Sequence, residues 1–167
     1  LAEYAYASSY RTVMQTQRAK NFFSKRIQNK SIIIPNPVTV QVIAEGMDPQ
    51  KIVSVGRLTD QKNHAMLIDS FYSLSKEFQD ITLDIYGEGP KREELQSKID
   101  NLGLSSRITL RGNVLDVHER IKDAGLFVLP SNFEGTSNAL LEAMIMGLPC
   151  ISTNCAGSDE VIENGKS

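Results

Sequence analysis

Short apolar runs alternate with amphipathic segments along the chain from about residue 52 onward. The apolar runs, which have the length and composition of strands, are 52–55, 81–86, 108–110, 126–129 and 150–153. The segments between them predict helices over 67–78, 91–101, 116–123 and 137–146, with a last short helix at 158–163. Strict alternation of strand and helix with short connections is typical of βαβ units, whose parallel strands form one sheet covered by helices on both faces. The sequence therefore predicts an α/β fold with a doubly wound, Rossmann-like parallel sheet.

The first 48 residues lack this alternation. They contain a candidate strand at 13–16, a short helix at 19–25 and a strand at 31–34 that two prolines terminate. The chain also begins with Leu1 rather than a methionine. We therefore expect residues 1–48 to be the trailing part of a preceding domain plus a linker. Residues 49–167 are expected to form a second domain, and the whole chain to be a piece of a longer protein.

Composition argues against several classes of function. The net charge of the 167 residues is −2, and the basic residues are dispersed among acidic ones, so a nucleic-acid-binding surface is not expected. Cys150 and Cys155 have no second pair with which to form a zinc site, and are expected to be buried free thiols in a reducing compartment. No apolar run approaches the roughly 20 residues needed to span a bilayer. No signal-peptide pattern is present either, so a cytoplasmic location is predicted.

Doubly wound sheets bind ligands at the carboxyl ends of their strands. The first strand is followed by Gly56-Arg57 and, five residues later, by Lys62. A glycine permits close backbone approach, an arginine offers a planar fork for phosphate oxygens, and a lysine adds a point charge. This loop therefore predicts a diphosphate site, with two solvated surface cations as the alternative. The next two strands end in glycine turns, 87–90 and 112–114, of which the second could edge a base pocket.

The segment after the fourth strand is the most informative. Glu142 is the only charge in a predicted helix that is apolar almost all round and is therefore expected to be buried on most sides. A buried carboxylate needs hydrogen-bond donors, which either ligand hydroxyls, as on a ribose, or a neighbouring Arg or Lys would supply. Glu134 and Gly135 precede the same helix, and Ser137 or Asn138 is its expected cap. The free N–H groups of such a helix start favour an anion.

These motifs, in this order, resemble the group 1 (family 4) retaining glycosyltransferases of the GT-B fold. The resemblance rests on Ile34-Pro35-Asn36-Pro37, Gly56-Arg57-Leu58 with Lys62-Asn63, Gly87-Glu88-Gly89-Pro90, and Glu134 and Glu142 separated by seven residues. It covers about residues 31–165. It implies that residues 49–167 are the nucleotide-sugar-binding domain, truncated at both ends relative to a full enzyme. Residues 1–48 are then the end of the N-terminal acceptor domain and the interdomain linker.

The resemblance also implies a role for each motif residue. The implied catalytic residues are Arg57 and Lys62, which neutralise the donor diphosphate without a metal or other cofactor, and Glu134, which faces the transferred sugar. Glu142 is implied to hold the ribose hydroxyls. The remaining implied donor-binding residues are Gly56, Gly87, Asn113, Val114, Gly135, Thr136, Ser137 and Asn138.

The implied activity is transfer, with retention, of a hexosyl or N-acetylhexosaminyl group from an NDP-sugar in glycan or polysaccharide biosynthesis, with UDP favoured over GDP. A saccharide or lipid-linked acceptor would bind through an N-terminal domain that this chain lacks, at the inner membrane face, which leaves peripheral membrane association open. His64 and His118 are both expected on the surface, so neither replaces the catalytic histidine of that domain. The chain alone is therefore expected to bind donor and transfer nothing. A GT-B UDP-sugar epimerase and a non-catalytic nucleotide-binding module are the alternatives.

Overall fold

Strands and helices alternate from residue 48 onward in the computed structural model, which describes residues 2–155 and 157–163. The strands, in chain order, are β1 (Thr12–Met14), β2 (Ser31–Ile33), β3 (Asp48–Val55), β4 (Thr82–Tyr86), β5 (Ile108–Gly112), β6 (Ala124–Leu129) and β7 (Cys150–Ser152). The helices are α1 (Ala2–Ser8), α2 (Gln17–Phe22), α3 (Lys25–Gln28), α4 (His64–Leu74), α5 (Arg92–Asn101), α6 (Val117–Ile121) and α7 (Asn138–Met146).

The last five of these strands form one parallel sheet in the order β5-β4-β3-β6-β7. The chain builds outward from β3 in one direction through β4 and β5, and then returns to the other side of β3 to form β6 and β7. The register pairs Val55 with Tyr86 and Val53 with Phe127, so the neighbouring strands end close together. The carboxyl ends therefore share one edge, and the order reverses between β3 and β6. In sheets of this kind ligands bind at such a reversal.

A separate apolar core lies on each face of the sheet, because side chains of successive strand residues point to opposite faces. Ile52 packs in one core with α4 and α5, through residues such as Phe71 and Leu95. Its neighbour Val53 packs in the other core, with Leu140 of α7 among its members. The predicted doubly wound α/β fold is confirmed.

Residues 2–47 make a smaller unit beside this sheet. β1 and β2 pair in parallel, with Thr12 opposite Ser31 and Met14 opposite Ile33. The connection from β2 to β3 contains no helix or strand, but Val40, Val42 and Ala44 pack against the core on the α7 side. The Ala44 N–H donates to the carbonyl of Met146 at 2.7 Å. The connection is therefore attached to the main domain along its length.

Several predicted helices are shorter than their apolar pattern suggests. α4 ends at Leu74, and Phe78 is exposed, because the Arg107 guanidinium bonds the carbonyls of Ser75 and Phe78 in the turns that follow. The helix predicted at 158–163 is wrong: residues 157–161 form a hydrogen-bonded turn. No helix among the described residues is long and apolar enough to cross a membrane.

Both cysteines are free thiols, as the sequence predicts. Cys155 is buried and Cys150 half-buried. Burial raises the pKa of Cys150 to about 11, so its thiol stays protonated at neutral pH. Cys150 therefore lacks the thiolate character of a reactive cysteine.

Candidate functional site

A groove of about 240 Å³ lies at the carboxyl ends of β3, β4 and β5. Its lining includes residues from all three strand-end loops: Gly56, Arg57, Gly87, Asn113 and Val114, together with Val117 of α6. The sequence assigned the first five of these to donor binding, and the structure brings them together. The half-buried Val114 and Val117 supply apolar walls, while Arg57 and Asn113 are exposed polar side chains.

Gly87 allows the close backbone approach on which this groove depends. Its φ of +133° is a conformation that other residues rarely adopt. A Cβ at Gly87 would lie 2.1 Å from the carbonyl oxygen of Gly56. Only glycine therefore fits between the ends of β3 and β4, as the glycine turn predicted.

Lys62 and Glu134 form an ion pair at the sheet reversal, with Lys62 Nζ 2.6 Å from Glu134 Oε1. Both side chains are largely buried, at 18% and 8% exposed, and the stem of Lys62 packs over Gly56. Ser131 Oγ donates a second hydrogen bond to Glu134 Oε1 at 2.6 Å. The family resemblance implies separate partners for these charges, a diphosphate and a sugar, whereas in the structure they are partners of each other. Arg57, by contrast, has no ion-pair partner in the part of the chain that is described.

The loops that hold this ion pair are tied together. The backbone N–H of Asn132 donates to the Gln61 carbonyl at 2.8 Å, and its side-chain amide donates to the Asp60 carbonyl at 2.8 Å. Asn63 donates to Asn132 Oδ1 at 2.8 Å, and Gln61 donates to the Phe133 carbonyl at 3.0 Å. Asn63 takes a left-handed conformation, φ 47°, from which its side chain accepts from the Met66 N–H at the start of α4. These bonds fix the two loops relative to one another.

His64 lies inside this framework, so its predicted surface position is wrong. It is 2% exposed, and its Nδ1 has no hydrogen-bond partner among the described residues. Burial, reinforced by the Lys62 charge, lowers the pKa of His64 to about 4. The imidazole is therefore neutral at neutral pH. His64 is the first residue of α4 and lies on the same face as Leu67, Ile68 and Phe71. Because that face packs against the core, His64 is buried with it.

Glu142 has a partner that the sequence did not suggest. His118 Nε2 of α6 lies 3.1 Å from Glu142 Oε2, and neither an arginine nor a lysine bonds this carboxylate among the described residues. The two side chains are 27% and 28% exposed, so His118 is half-buried rather than solvated and Glu142 is not fully enclosed. α7 buries one face, with Leu140 and Met146, and exposes Ile145, which corrects the expectation of a helix buried on most sides.

The start of α7 offers donors without a protein partner. Ser137 is its N-cap but makes no side-chain cap bond, and its buried Oγ has no partner among the described residues. The backbone of Gly135 and Thr136 packs against Gly157, where a Cβ would lie 1.4 Å from the Gly135 carbonyl oxygen. Asn138 is exposed and accepts from Asn36 at 3.0 Å. Residues 134–138 are not in the lining of the groove at the ends of β3, β4 and β5.

Residues 2–47 contribute to the site, which sequence reasoning missed. A second groove, of about 510 Å³, runs from Glu134 and Gly135 to α2, where Phe22 and Phe23 line it. Glu160 accepts from the backbone N–H groups of Gln17 and Arg18 at 2.9 and 2.8 Å, and Arg18 Nη1 bonds Asp159 at 2.7 Å. No motif spacing signals these contacts, because their partners are more than 100 residues apart in the chain.

A doubly wound sheet with a glycine-rich, cationic loop at its reversal has the arrangement in which such domains bind nucleotides. Similarity to known proteins makes this more specific. The family model "Glycosyl transferases group 1" matches residues 49–167. An uncharacterised glycosyltransferase of Methanocaldococcus jannaschii is 30% identical, over 96% of this chain and 44% of the relative. The chain belongs to the group 1 glycosyltransferases.

A further relative agrees with this family, and a solved structure agrees with the fold. A putative colanic acid biosynthesis glycosyltransferase of Salmonella typhimurium is 34% identical over 75% of this chain and 33% of its own length. The crystal structure of the pneumococcal O-GlcNAc transferase GtfA in complex with UDP and GlcNAc has a TM-score of 0.87 at 23% identity, over 98% of this chain and 34% of that one. The predicted family and GT-B fold are thus confirmed. The chain spans less than half the length of these proteins.

Proposed function

We propose that this chain is the donor-binding half of a glycosyltransferase that moves a hexosyl or N-acetylhexosaminyl group from an NDP-sugar to a saccharide or lipid-linked acceptor. The observation that carries the proposal is the strand-end groove, with unpaired Arg57 in its lining and the Lys62–Glu134 pair beside it at the reversal of the sheet. Residues 49–167 then form the nucleotide-sugar domain, and residues 1–48 the end of an acceptor domain and the linker. Family membership supports the reaction class.

The donor would extend from the groove towards the start of α7. In this arrangement the base and ribose lie against Asn113, Val114 and Glu142, and the diphosphate lies at Arg57. Arg57 lines the groove, and no protein carboxylate compensates its charge among the described residues, so it stabilises charge that develops on the leaving nucleotide. Ser137 Oγ and the first N–H groups of α7 are further donors for phosphate or sugar oxygens. The proposal requires no metal.

Glu134 lies where the transferred sugar would meet the acceptor. It borders the groove towards α2, and its Oε1 is already held by Lys62 and Ser131. A carboxylate with one oxygen held in place can accept a hydrogen bond from a sugar hydroxyl on its other oxygen. The GtfA structure contains UDP and GlcNAc, and the Salmonella relative is named for colanic acid biosynthesis. The first supports a UDP-sugar donor, and the second supports polysaccharide synthesis, as the first choice. Retention and a cytoplasmic membrane-face location follow from the family resemblance.

Calorimetric titration with UDP, GDP and uridine tests the donor site. We expect Arg57→Met to weaken UDP binding about tenfold or more and to leave uridine binding unchanged, because only the diphosphate contacts Arg57. Arg26→Met is the matched control, since Arg26 is also exposed and unpaired in the described structure. A folded protein that binds neither UDP nor GDP would contradict the donor site. Equal weakening of UDP and uridine would place the diphosphate elsewhere.

A further inference from the structure

His118 and Glu142 join two helices that cover the same face of the sheet. α6 precedes β6 and α7 follows it, and their residues Ile121 and Leu140 lie in one core. His118 Nε2 and Glu142 Oε2 are 3.1 Å apart. An ionised carboxylate only accepts hydrogen bonds, so Nε2 carries the proton and donates. The bond therefore fixes one oxygen of Glu142.

The remaining capacity of Glu142 is unused. Its other oxygen, Oε1, has no hydrogen-bond partner within residues 2–155 and 157–163, although the side chain is only 28% exposed. A carboxylate offers about four lone-pair positions, so a bond to His118 leaves room for at least two hydroxyl donors. A long, flexible Glu side chain loses rotamer entropy when a ligand orders it, and a protein partner that orders it beforehand reduces that cost.

His118 is also next to the wall of the strand-end groove. The preceding residue, Val117, lines that groove with Asn113 and Val114. On its other side, His118 lines a depression with Gln41 and Asp116. The first turn of α6 thus forms the groove wall with one residue and orients Glu142 with the next.

We propose that His118 is a positioning residue for the ribose subsite: it holds Glu142 so that the free carboxylate oxygen accepts from the ribose 2′,3′-diol. This inference rests on the proposed function. It adds that the His118–Glu142 pair makes the site prefer a nucleotide with ribose hydroxyls over one without them. His118 acts through Glu142 and does not touch the ligand. Its loss should therefore change the selectivity for ribose more than the affinity for the base or the diphosphate.

Calorimetry with UDP and with 2′,3′-dideoxy-UDP tests the role of His118. We expect the wild type to prefer UDP, and His118→Leu to reduce that preference about fivefold, the effect of one lost hydrogen bond. His118→Gln, which keeps a donor, should restore most of it. Glu142→Gln should lose the preference, and adding His118→Leu to it should cause no further loss. Glu119→Gln changes a neighbouring α6 residue that pairs with Lys122, and should leave the preference unchanged.

The outcomes separate the two proposals. A wild-type protein that binds no UDP would overturn the donor site itself. A Glu142→Gln variant with unchanged UDP affinity would overturn the ribose subsite, and with it the role of His118, but not the donor site. An unchanged preference in His118→Leu, together with a lost preference in Glu142→Gln, would overturn only the role of His118. A melting temperature for each variant within about 2 °C of the wild type shows that the comparison is made between folded proteins.

Discussion

The two carboxylates of one segment, Glu134 and Glu142, lie in contrasting surroundings. Glu134 is 8% exposed, and one of its oxygens is bonded by both Lys62 and Ser131. Glu142 is 28% exposed and is bonded by His118 alone among the described residues. Glu134 lies on a loop that is hydrogen-bonded to the neighbouring loop, whereas Glu142 lies within helix α7. The first carboxylate is part of the framework, and the second remains available.

This difference changes the electrostatics expected of the site. Lys62 cannot supply a full positive charge to a diphosphate while Glu134 lies 2.6 Å away, because the pair is nearly neutral at longer range. Arg57 has no such partner among the described residues. In the proposed donor site we therefore expect a ligand anion to be attracted mainly by Arg57 and by the start of α7, whereas Lys62 holds Glu134 in place.

Removal of Lys62 should have the largest effect on stability, because Glu134 depends on its cation more than Glu142 does on its histidine. Lys62→Met leaves Glu134 buried without its cation, and we expect the free energy of unfolding to fall by about 3 kcal/mol, as for other buried pairs that lose one partner. Urea unfolding at pH 7 measures this loss. The double variant Lys62→Met/Glu134→Gln removes the unpaired charge and should recover a large part of the stability. A single variant as stable as the wild type would mean that water reaches Glu134 and that its pocket is as open as that of Glu142.

The two histidines also differ in burial: His64 is 2% exposed, whereas the side chain of His118 is 27% exposed. The pKa of His64 is lowered to about 4, so an unfolded chain with an ordinary histidine binds a proton below about pH 6.5 while the native state does not. The stability that His64 contributes is therefore present above pH 6.5 and is lost as the pH falls towards 4. Between pH 7 and pH 5 we expect the wild type to lose about 2 kcal/mol more than His64→Leu.

Urea unfolding of the wild type and of His64→Leu at the two pH values checks this. Parallel pH dependence in the two proteins would contradict the lowered pKa of His64 and show that its imidazole is protonated in the native state at pH 5.

The difference between the two carboxylates also shows where sequence reasoning succeeds. The sheet is predictable because neighbouring residues such as Ile52 and Val53 enter opposite cores, a pattern that local periodicity records. Gly87 is predictable because a glycine after a strand signals close backbone approach. The Lys62–Glu134 pair is not predictable in the same way, because it joins residues 72 positions apart through the reversal of strand order.

The partner of Glu142 could have been inferred in part. The prediction that a charge in an apolar helix needs donors is sound. α6 is expected on the same face as α7 because the connections from β5 to β6 and from β6 to β7 cross the sheet in the same direction, and such crossovers share one hand. The choice of His118 depends on the rotation of a five-residue helix, which its sequence does not determine. The role of residues 2–47 depends on contacts such as Glu160 with the start of α2, for which there is no local pattern.

The smallest effect on stability should come from Glu142 itself. A half-exposed carboxylate with one histidine partner contributes little to folding, so Glu142→Gln should change the free energy of unfolding by less than about 0.5 kcal/mol. In the same protein we expect UDP to bind about tenfold more weakly, since a charged acceptor for ribose hydroxyls is lost. Urea unfolding and calorimetry on one preparation measure both quantities. A stability loss comparable to that of Lys62→Met, with UDP affinity preserved, would make Glu142 a second framework residue, because a group kept for a ligand should affect binding far more than folding.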